Sequence, residues 1–389
     1  PDAVRTHFDP IADQPAVVQI LKDGCAHMRK AFDIEDLKLD DLIETALADP
    51  KAELKVFSAL RDTALKLPRY AVGYVQPIPG SALAANHVFL GVERFRLLYV
   101  GNADAAKRGK ADWKQILTLE DKAADVSIGG GYVYIRTPKR ASRYEVLRMP
   151  LSRLDVAKAD VIVPASDSVI VSMGAARDGL YFVRRDGATH SLWKVEHKPG
   201  AKPQRIALPF DGAIELTGTS PRVDGAVFEL GGWTRATKPH AYDPSTGRVV
   251  QLPFVTPGAY DAPDDIMARE IRYRSHDGVE VPMSIVMRKD AKLDGSNPTI
   301  LYGYGAYGVT EDPFLNPRWY AWVQRGGILA LAHVRGGGVF GEEWHMAGRK
   351  QTKPNTWKDA IAAAEYLIAQ GYTSKSTLGI FGGSAGGIF

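Results

Sequence analysis

Ser384 stands in Gly382-Gly383-Ser384-Ala385-Gly386, a G-x-S-x-G sequence placed directly after the apolar run Thr377 to Phe381. A strand, a strained turn and then a helix around a serine make a nucleophile elbow. Glycines flank the serine because the turn is tight and the following helix packs close to the strand. A serine hydroxyl is a weak nucleophile at neutral pH, so it needs a base to take its proton and donors to hold the oxyanion. The backbone N–H of Ala385, the residue after the serine, is the first such donor. The second should come from a loop after an earlier strand. Leu301 to Gly308, reading LYGYGAYG, is a glycine- and tyrosine-rich loop of that kind. A tyrosine hydroxyl aimed at the oxyanion would serve there as well as an N–H. Equally, these tyrosines could simply pack a flexible turn, and residue types alone leave both open.

In the α/β-hydrolase arrangement the chain order is Ser, then Asp or Glu, then His. All nine histidines of this chain precede Ser384. His333 and His345 lie in the right region but on the wrong side of the serine, and are expected to be hydrogen-bonding core or loop residues. The acid and base are expected beyond Phe389, and residues 1–389 alone are expected to be inactive.

The elements that must position Ser384 are legible upstream. Asp264 opens a region in which Ala268 to Arg274 and Glu280 to Arg288 read as a hairpin around His276-Asp277-Gly278. Thr299 to Tyr302 and Gly327 to Val334 read as buried strands. Asn355-Thr356 can cap a helix with an apolar face of Trp357, Ile361, Ala364 and Leu367 or Ile368, ending at Gly371. Strand, helix, strand and elbow is the grammar of a parallel α/β sheet. Before this region the period is two. Strand starts at Gly131, Gly179 and Gly225 recur at about 46 to 48 residues, each with a second strand about 15 residues on, and a weaker copy begins at His87. Asp178-Gly179, Asp186-Gly187, Asp224-Gly225 and Asp243 to Gly247 supply turn signals. Several strands per 40- to 50-residue unit suggest propeller blades, with a plain β-sandwich as the alternative. A closed ring needs more units than the three or four visible. Residues 1–70 read as a helical segment without assignable chemistry.

Bulk properties narrow the function further. A chain of 389 residues, 45% apolar and 24% charged, builds ordinary cores in two or three domains. Its 49 basic and 45 acidic residues are dispersed, which argues against nucleic-acid binding. A single cysteine, Cys25, excludes an internal disulfide and a cysteine-based metal cluster; no cofactor or metal is expected. No stretch approaches 18 apolar residues, so no membrane span is expected. The chain begins at Pro1, so a targeting segment could have preceded it, leaving a cytoplasmic or periplasmic location open.

Residues 265 to 389 resemble the catalytic domain of the prolyl oligopeptidase family of serine peptidases. The matching pieces are Lys292 to Ser296, Leu301 to Gly305, Val334 to Gly338, Gly341 to His345, Ala363 to Ile368, Gly371 to Ser374 and the elbow itself. The resemblance implies a β-propeller ahead of an α/β-hydrolase domain, so the expected architecture is α/β plus all-β. It is a partial propeller over 71–263 followed by the N-terminal part of the catalytic domain over 264–389. It further implies Ser384 as nucleophile and Tyr304 as the tyrosine completing the oxyanion hole. Tyr307 falls at the aromatic that lines the pocket for the residue before the cut in prolyl-specific members. Arg335 and its glycines are read as structural. Two departures bear on specificity. Prolyl-specific members usually carry Asn after the nucleophile, whereas Ala385 and the run Ala332 to Arg335 resemble the oligopeptidase B branch, which cuts after basic residues. No acidic residue in these motifs is an obvious partner for Lys or Arg, however, and an aromatic wall stacks on a pyrrolidine ring. The expected activity is therefore hydrolysis of short peptides after proline through an acyl-enzyme, by a monomer whose propeller keeps folded proteins out. Cleavage after basic residues, an esterase on the same fold, and a non-catalytic propeller binding module are the alternatives.

Overall fold

The computed structural model describes residues 65, 67, 68, 70–107 and 111–389. The helical pattern expected over residues 1–70, and Cys25 with it, lies outside the described residues apart from a few positions at its end.

Four four-stranded antiparallel sheets follow one another. The first contains β1 (Ala71–Pro77), β2 (Leu83–Leu90), β3 (Leu97–Asn102) and β4 (Lys114–Leu117), with a short helix α1 (Ala103–Lys107) before the last strand. The second contains β5 (Asp125–Gly129), β6 (Tyr132–Thr137), β7 (Glu145–Pro150) and β8 (Asp160–Val163). The third contains β9 (Val169–Ala176), β10 (Gly179–Asp186), β11 (Thr189–Val195) and β12 (Gln204–Ile206). The fourth contains β13 (Ala213–Ser220), β14 (Val223–Gly232), β15 (Arg235–Asp243) and β16 (Arg248–Gln251). Each is a meander, and apolar side chains join consecutive sheets face to face. Leu98 and Leu117 of the first sheet pack with Val133 and Met149 of the second. Tyr134 and Val146 of the second pack with Leu180 and Phe182 of the third. Tyr181 and Leu192 of the third pack with Phe228 and Leu230 of the fourth. These are the blades of a β-propeller. The repeat visible in the sequence is the second and third strand of every blade, including the weaker copy at His87.

The turn chemistry is mostly as the sequence implies. Asp243 closes the β15–β16 turn by accepting from the Ser245 N–H and from the hydroxyls of Ser245 and Thr246. Asp224-Gly225 is a correction: the pair lies inside β14, and the turn sits one step earlier. There the Gly225 N–H donates to Asp178 of the neighbouring blade at 3.0 Å.

His87 of β2 is 1% exposed and stacks on Tyr74 at 4.7 Å, yet neither ring nitrogen has a hydrogen-bond partner among the described residues. Burial, with help from the Arg96 charge, lowers its pKa to about 4. The unfolded chain therefore binds this proton first. Stability present above about pH 6.5 is lost as the pH falls toward 4, by up to about 3 kcal/mol from this group. His87→Phe is expected to flatten that part of the acid limb in thermal melts taken between pH 7 and 4. A variant as acid-sensitive as the parent would show that His87 does not titrate on unfolding.

The remaining sheet is mixed, in the order β17-β18-β20-β19-β21. The hairpin β17 (Ile266–Arg274) and β18 (Glu280–Arg288) is antiparallel and leads through β20 (Ile328–Ala332) into parallel β19 (Thr299–Tyr302) and β21 (Leu378–Phe381). Helix α2 (Pro317–Gln324) connects β19 to β20, and α4 (Pro354–Ala369) connects β20 to β21, with short α3 (Glu342–Met346) between. Strand period two divides the residues between two faces. Met283, Ile285, Ala330 and Ala332 pack under Ala363 and Leu367 of α4. Val286, Leu329 and Leu331 pack under Tyr320 and Val323 of α2. This is the α/β-hydrolase layering of helices on both faces of a sheet.

Helix α4 differs from the expectation in two ways. It starts earlier, with Pro354 at its first turn, and Asn355 caps nothing; its side chain donates to the Ala347 carbonyl. Its inner face carries Thr356, Asp359, Ala360, Ala363 and Leu367, while Ile361 is 55% exposed. The reason is a buried polar anchor. Asp359, fully buried, accepts from Arg335 Nε at 2.9 Å and Nη2 at 2.6 Å, from the Arg335 N–H at 3.0 Å and from Ser275 Oγ at 2.5 Å. Arg335 Nη1 reaches Asp277 of the β17–β18 turn at 2.5 Å. Arg335 thus ties hairpin, sheet and helix together, which agrees with its reading as structural. Arg335→Leu would strand a buried carboxylate, a loss of roughly 3–5 kcal/mol, measurable as a lowered urea midpoint. Arg335→Leu combined with Asp359→Leu should recover part of it. Equal midpoints for the parent and the single variant would show the network to be energetically idle.

Candidate active site

The site is built where two adjacent parallel strands end. The last register pair of β19 and β21 is Tyr302 with Phe381. The chain after each strand therefore leaves the carboxyl edge of the sheet side by side, as Gly303 to Gly308 and as Gly382 to Ser384. Glycine permits the approach. A Cβ on Gly386 would meet the Gly303 carbonyl at 2.8 Å and Tyr304 Cα at 3.2 Å, and one on Gly303 would lie inside the Phe389 ring.

Ser384 is exposed, with φ +53°. A non-glycine residue in this left-handed region costs roughly 1–2 kcal/mol, and such strain is tolerated where the surroundings over-determine it. The Gly386 N–H donates to Gly383 at 2.7 Å and closes the turn. Residues Ser384–Ile388 form a 3₁₀ turn in place of the expected helix. Gly386 and Gly387 each disfavour helix by about 1 kcal/mol relative to Ala.

Ala385, Ile388 and Tyr307 line one cavity of about 670 Å³. The turn after β2, including Arg94, and residues between Glu342 and Lys353 also line it. Tyr307 is 49% exposed and, like Ser384, has positive φ, +54°. Tyr304 is half-buried beside Gly386 and lines a second, much smaller recess with Glu311 and His333. Its hydroxyl makes no hydrogen bond to another described residue. The structure therefore brings Tyr307 and Ala385, the neighbour of Ser384, to one cavity and sets Tyr304 against the backbone of the Ser384 turn.

His333 and His345 are engaged elsewhere. His333 Nε2 and Ser284 Oγ are hydrogen-bonded at 2.9 Å, and burial lowers the His333 pKa to about 4. His345 Nδ1 donates to the Gly336 carbonyl at 2.9 Å, and burial lowers its pKa too.

Three contacts between blades and site loops went unread in the sequence. Arg94 donates to Glu342 at 2.7 Å and to the Tyr144 hydroxyl at 2.9 Å, its guanidinium lying against Gly308. Arg185 donates to the Gly338 carbonyl at 2.6 Å and to Asp312 at 3.3 Å. His190 accepts the Ile214 N–H on Nδ1 at 2.9 Å and donates from Nε2 to Asp312 at 3.2 Å. Burial alone would raise the Asp312 pKa; the His190 hydrogen bond and the Arg185 charge outweigh it and hold the carboxyl low. These residues lie far apart in the chain and carry no local motif. The one available signal was arginine and histidine inside strands that otherwise read as core.

Comparison with known proteins agrees with this geometry. The profile of the prolyl oligopeptidase family matches residues 314–389. A dual function macrocyclase-peptidase POPB of Galerina marginata is 32% identical over 309 residues, 77% of this chain and 42% of that protein. A prolyl endopeptidase of Elizabethkingia miricola is 30% identical over 72% of this chain and 39% of its own length. Prolyl oligopeptidase B from Galerina marginata, solved with a 35mer hydrolysis and macrocyclization substrate, superposes with a TM-score of 0.72 at 28% identity, covering 82% of this chain and 46% of that one. Residues 314–389 thus belong to the prolyl oligopeptidase family, and the blades, mixed sheet and elbow agree with it. The chain spans about two fifths of the length of the curated relatives it matches.

Proposed function

We propose that the protein is a serine peptidase that hydrolyses short peptides after proline, with Ser384 as the nucleophile. The observation that carries the reading is Ser384 itself, exposed and left-handed at the carboxyl end of β21 beside the Tyr304 loop. Ser384 Oγ attacks the scissile carbonyl carbon and yields its proton to a base. The carbonyl oxygen becomes an oxyanion between the Ala385 N–H and the Tyr304 hydroxyl. Collapse expels the amine with that proton and leaves an ester on Ser384. Water then attacks the ester, releases the acid and restores the serine. Residues 71–263 are proposed as the propeller domain, 264–389 as part of the catalytic domain, and the enzyme as a monomer.

Two observations favour proline over basic residues. Tyr307 stands in the cavity wall with Ala385, an aromatic face for a pyrrolidine ring. Four Lys and Arg side chains line that cavity against Glu93 and Glu342, which opposes a cationic substrate side chain. The Ala332 to Arg335 run shared with the basic-specific branch is committed to the sheet and to Asp359, away from this wall. Matched fluorogenic peptides with Pro or Arg before the cut, tested on the full-length enzyme, should differ in kcat/KM by at least about a hundredfold in favour of Pro, an aggregate of pocket fit and charge mismatch. Equal or faster cleavage after Arg would overturn the specificity. Hydrolysis of simple esters without any peptide cleavage would overturn the class.

A further inference from the structure

The 670 Å³ cavity holds more positive charge than its own wall neutralises. Of its two carboxylates, Glu342 is held by Arg94 at 2.7 Å, and Glu93 accepts the Arg94 backbone N–H at 2.8 Å. Arg349, Lys350 and Lys353 are not ion-paired with any described carboxylate. The Arg349 guanidinium donates to the Met346 sulfur at 3.8 Å. Lys353 Nζ donates to the Gly305 carbonyl at 2.7 Å, and burial lowers its pKa. His345, in the same wall, is pushed by burial toward its neutral form. Lys350 keeps φ at +52°, where glycine would sit more easily. Cations gathered in a concave wall focus their field on whatever enters. Lys and Arg recognise carboxylates by charge-assisted hydrogen bonds.

We propose that Arg349, Lys350 and Lys353 form a subsite for a carboxylate carried by the peptide substrate, in the cavity that Ala385 and Tyr307 also line. The proposal rests on the reading of Ser384 as a peptidase nucleophile. The cavity has the size of a small-ligand site, so the carboxylate lies within a few residues of the bond that is cut. Its source is either the free C-terminus of a short peptide or an Asp or Glu side chain.

The test uses the full-length enzyme and two pairs of proline-containing peptides. One pair differs only in ending in an acid or an amide, the other only in Glu or Gln at one position. In at least one pair the acid form should be favoured in kcat/KM by about tenfold, the scale of one hydrogen bond to a charged group, and the preference should fade in high salt. The pair that shows it identifies the source. In Arg349→Gln/Lys350→Gly the ratio should fall toward one. Lys350→Gly relieves the left-handed backbone, so a fold defect would not explain the fall, and Lys350→Arg should restore the ratio. The same peptides bound to the Ser384→Ala enzyme, followed by fluorescence anisotropy, separate the subsite from the chemistry. Turnover with no acid preference, or a preference untouched by the double substitution, overturns the subsite alone. Acid-selective binding with no turnover by the parent enzyme upholds the subsite and overturns the peptidase reading. Neither binding preference nor turnover overturns both.

Discussion

Ser384→Ala in the full-length enzyme is expected to abolish covalent labelling by a fluorophosphonate and to lower kcat by roughly 10⁴–10⁶-fold, the scale seen when a serine hydrolase loses its nucleophile. The elbow is the reason. The turn that exposes Ser384 is held by the Gly386 N–H to Gly383 bond and by the close seat of Gly386 on the Gly303-Tyr304 backbone. Removing the Oγ leaves those contacts in place. The peptide affinity of the variant should then stay near the KM of the parent, since the loss falls on chemistry. Labelling that survives the substitution would point to another nucleophile.

Tyr304→Phe is expected to cost roughly 10²–10³ in kcat with little change in KM, as for other lost oxyanion donors. The substitution removes one oxygen and keeps the ring that rests against Gly386. Because that hydroxyl is not hydrogen-bonded to any described residue, its removal strands no partner, and the thermal midpoint should hardly move. A fall in stability with kcat intact would make Tyr304 a packing residue and reopen the search for the second donor.

Much of this was legible in the sequence because the informative signals are local. The elbow needs its glycines within a few residues of Ser384, and the blades announce themselves by Gly-led strands recurring at one spacing. Only the second and third strands of each blade were read. Edge strands such as β4, β8 and β12 are three or four residues long and half-exposed, too short for a period-two pattern. Helix α2 was missed although Asn316 caps it and Pro317 starts it. The misread face of α4 has another cause. Apolar periodicity assumes that a buried face is apolar, and Asp359 breaks the assumption because Arg335 accompanies it inside. The links between blades and site loops join residues more than a hundred positions apart, such as Arg185 and Asp312, and no window of one sequence can reveal them.

The Arg94 contact bears on how this protein can change over evolutionary time. A Cβ at Gly308 would stand 2.7 Å from the Arg94 guanidinium, in the middle of its links to Glu342 and Tyr144. Position 308 is therefore not free to drift while an arginine occupies position 94, although 213 residues lie between them. Lineages that place a side chain at 308 should carry a smaller residue at 94, and should then have lost the reason to keep an acid at 342. Grafting the Tyr304–Tyr307 loop onto a foreign propeller would meet the same constraint, so the blade and the loop are better treated as one heritable unit.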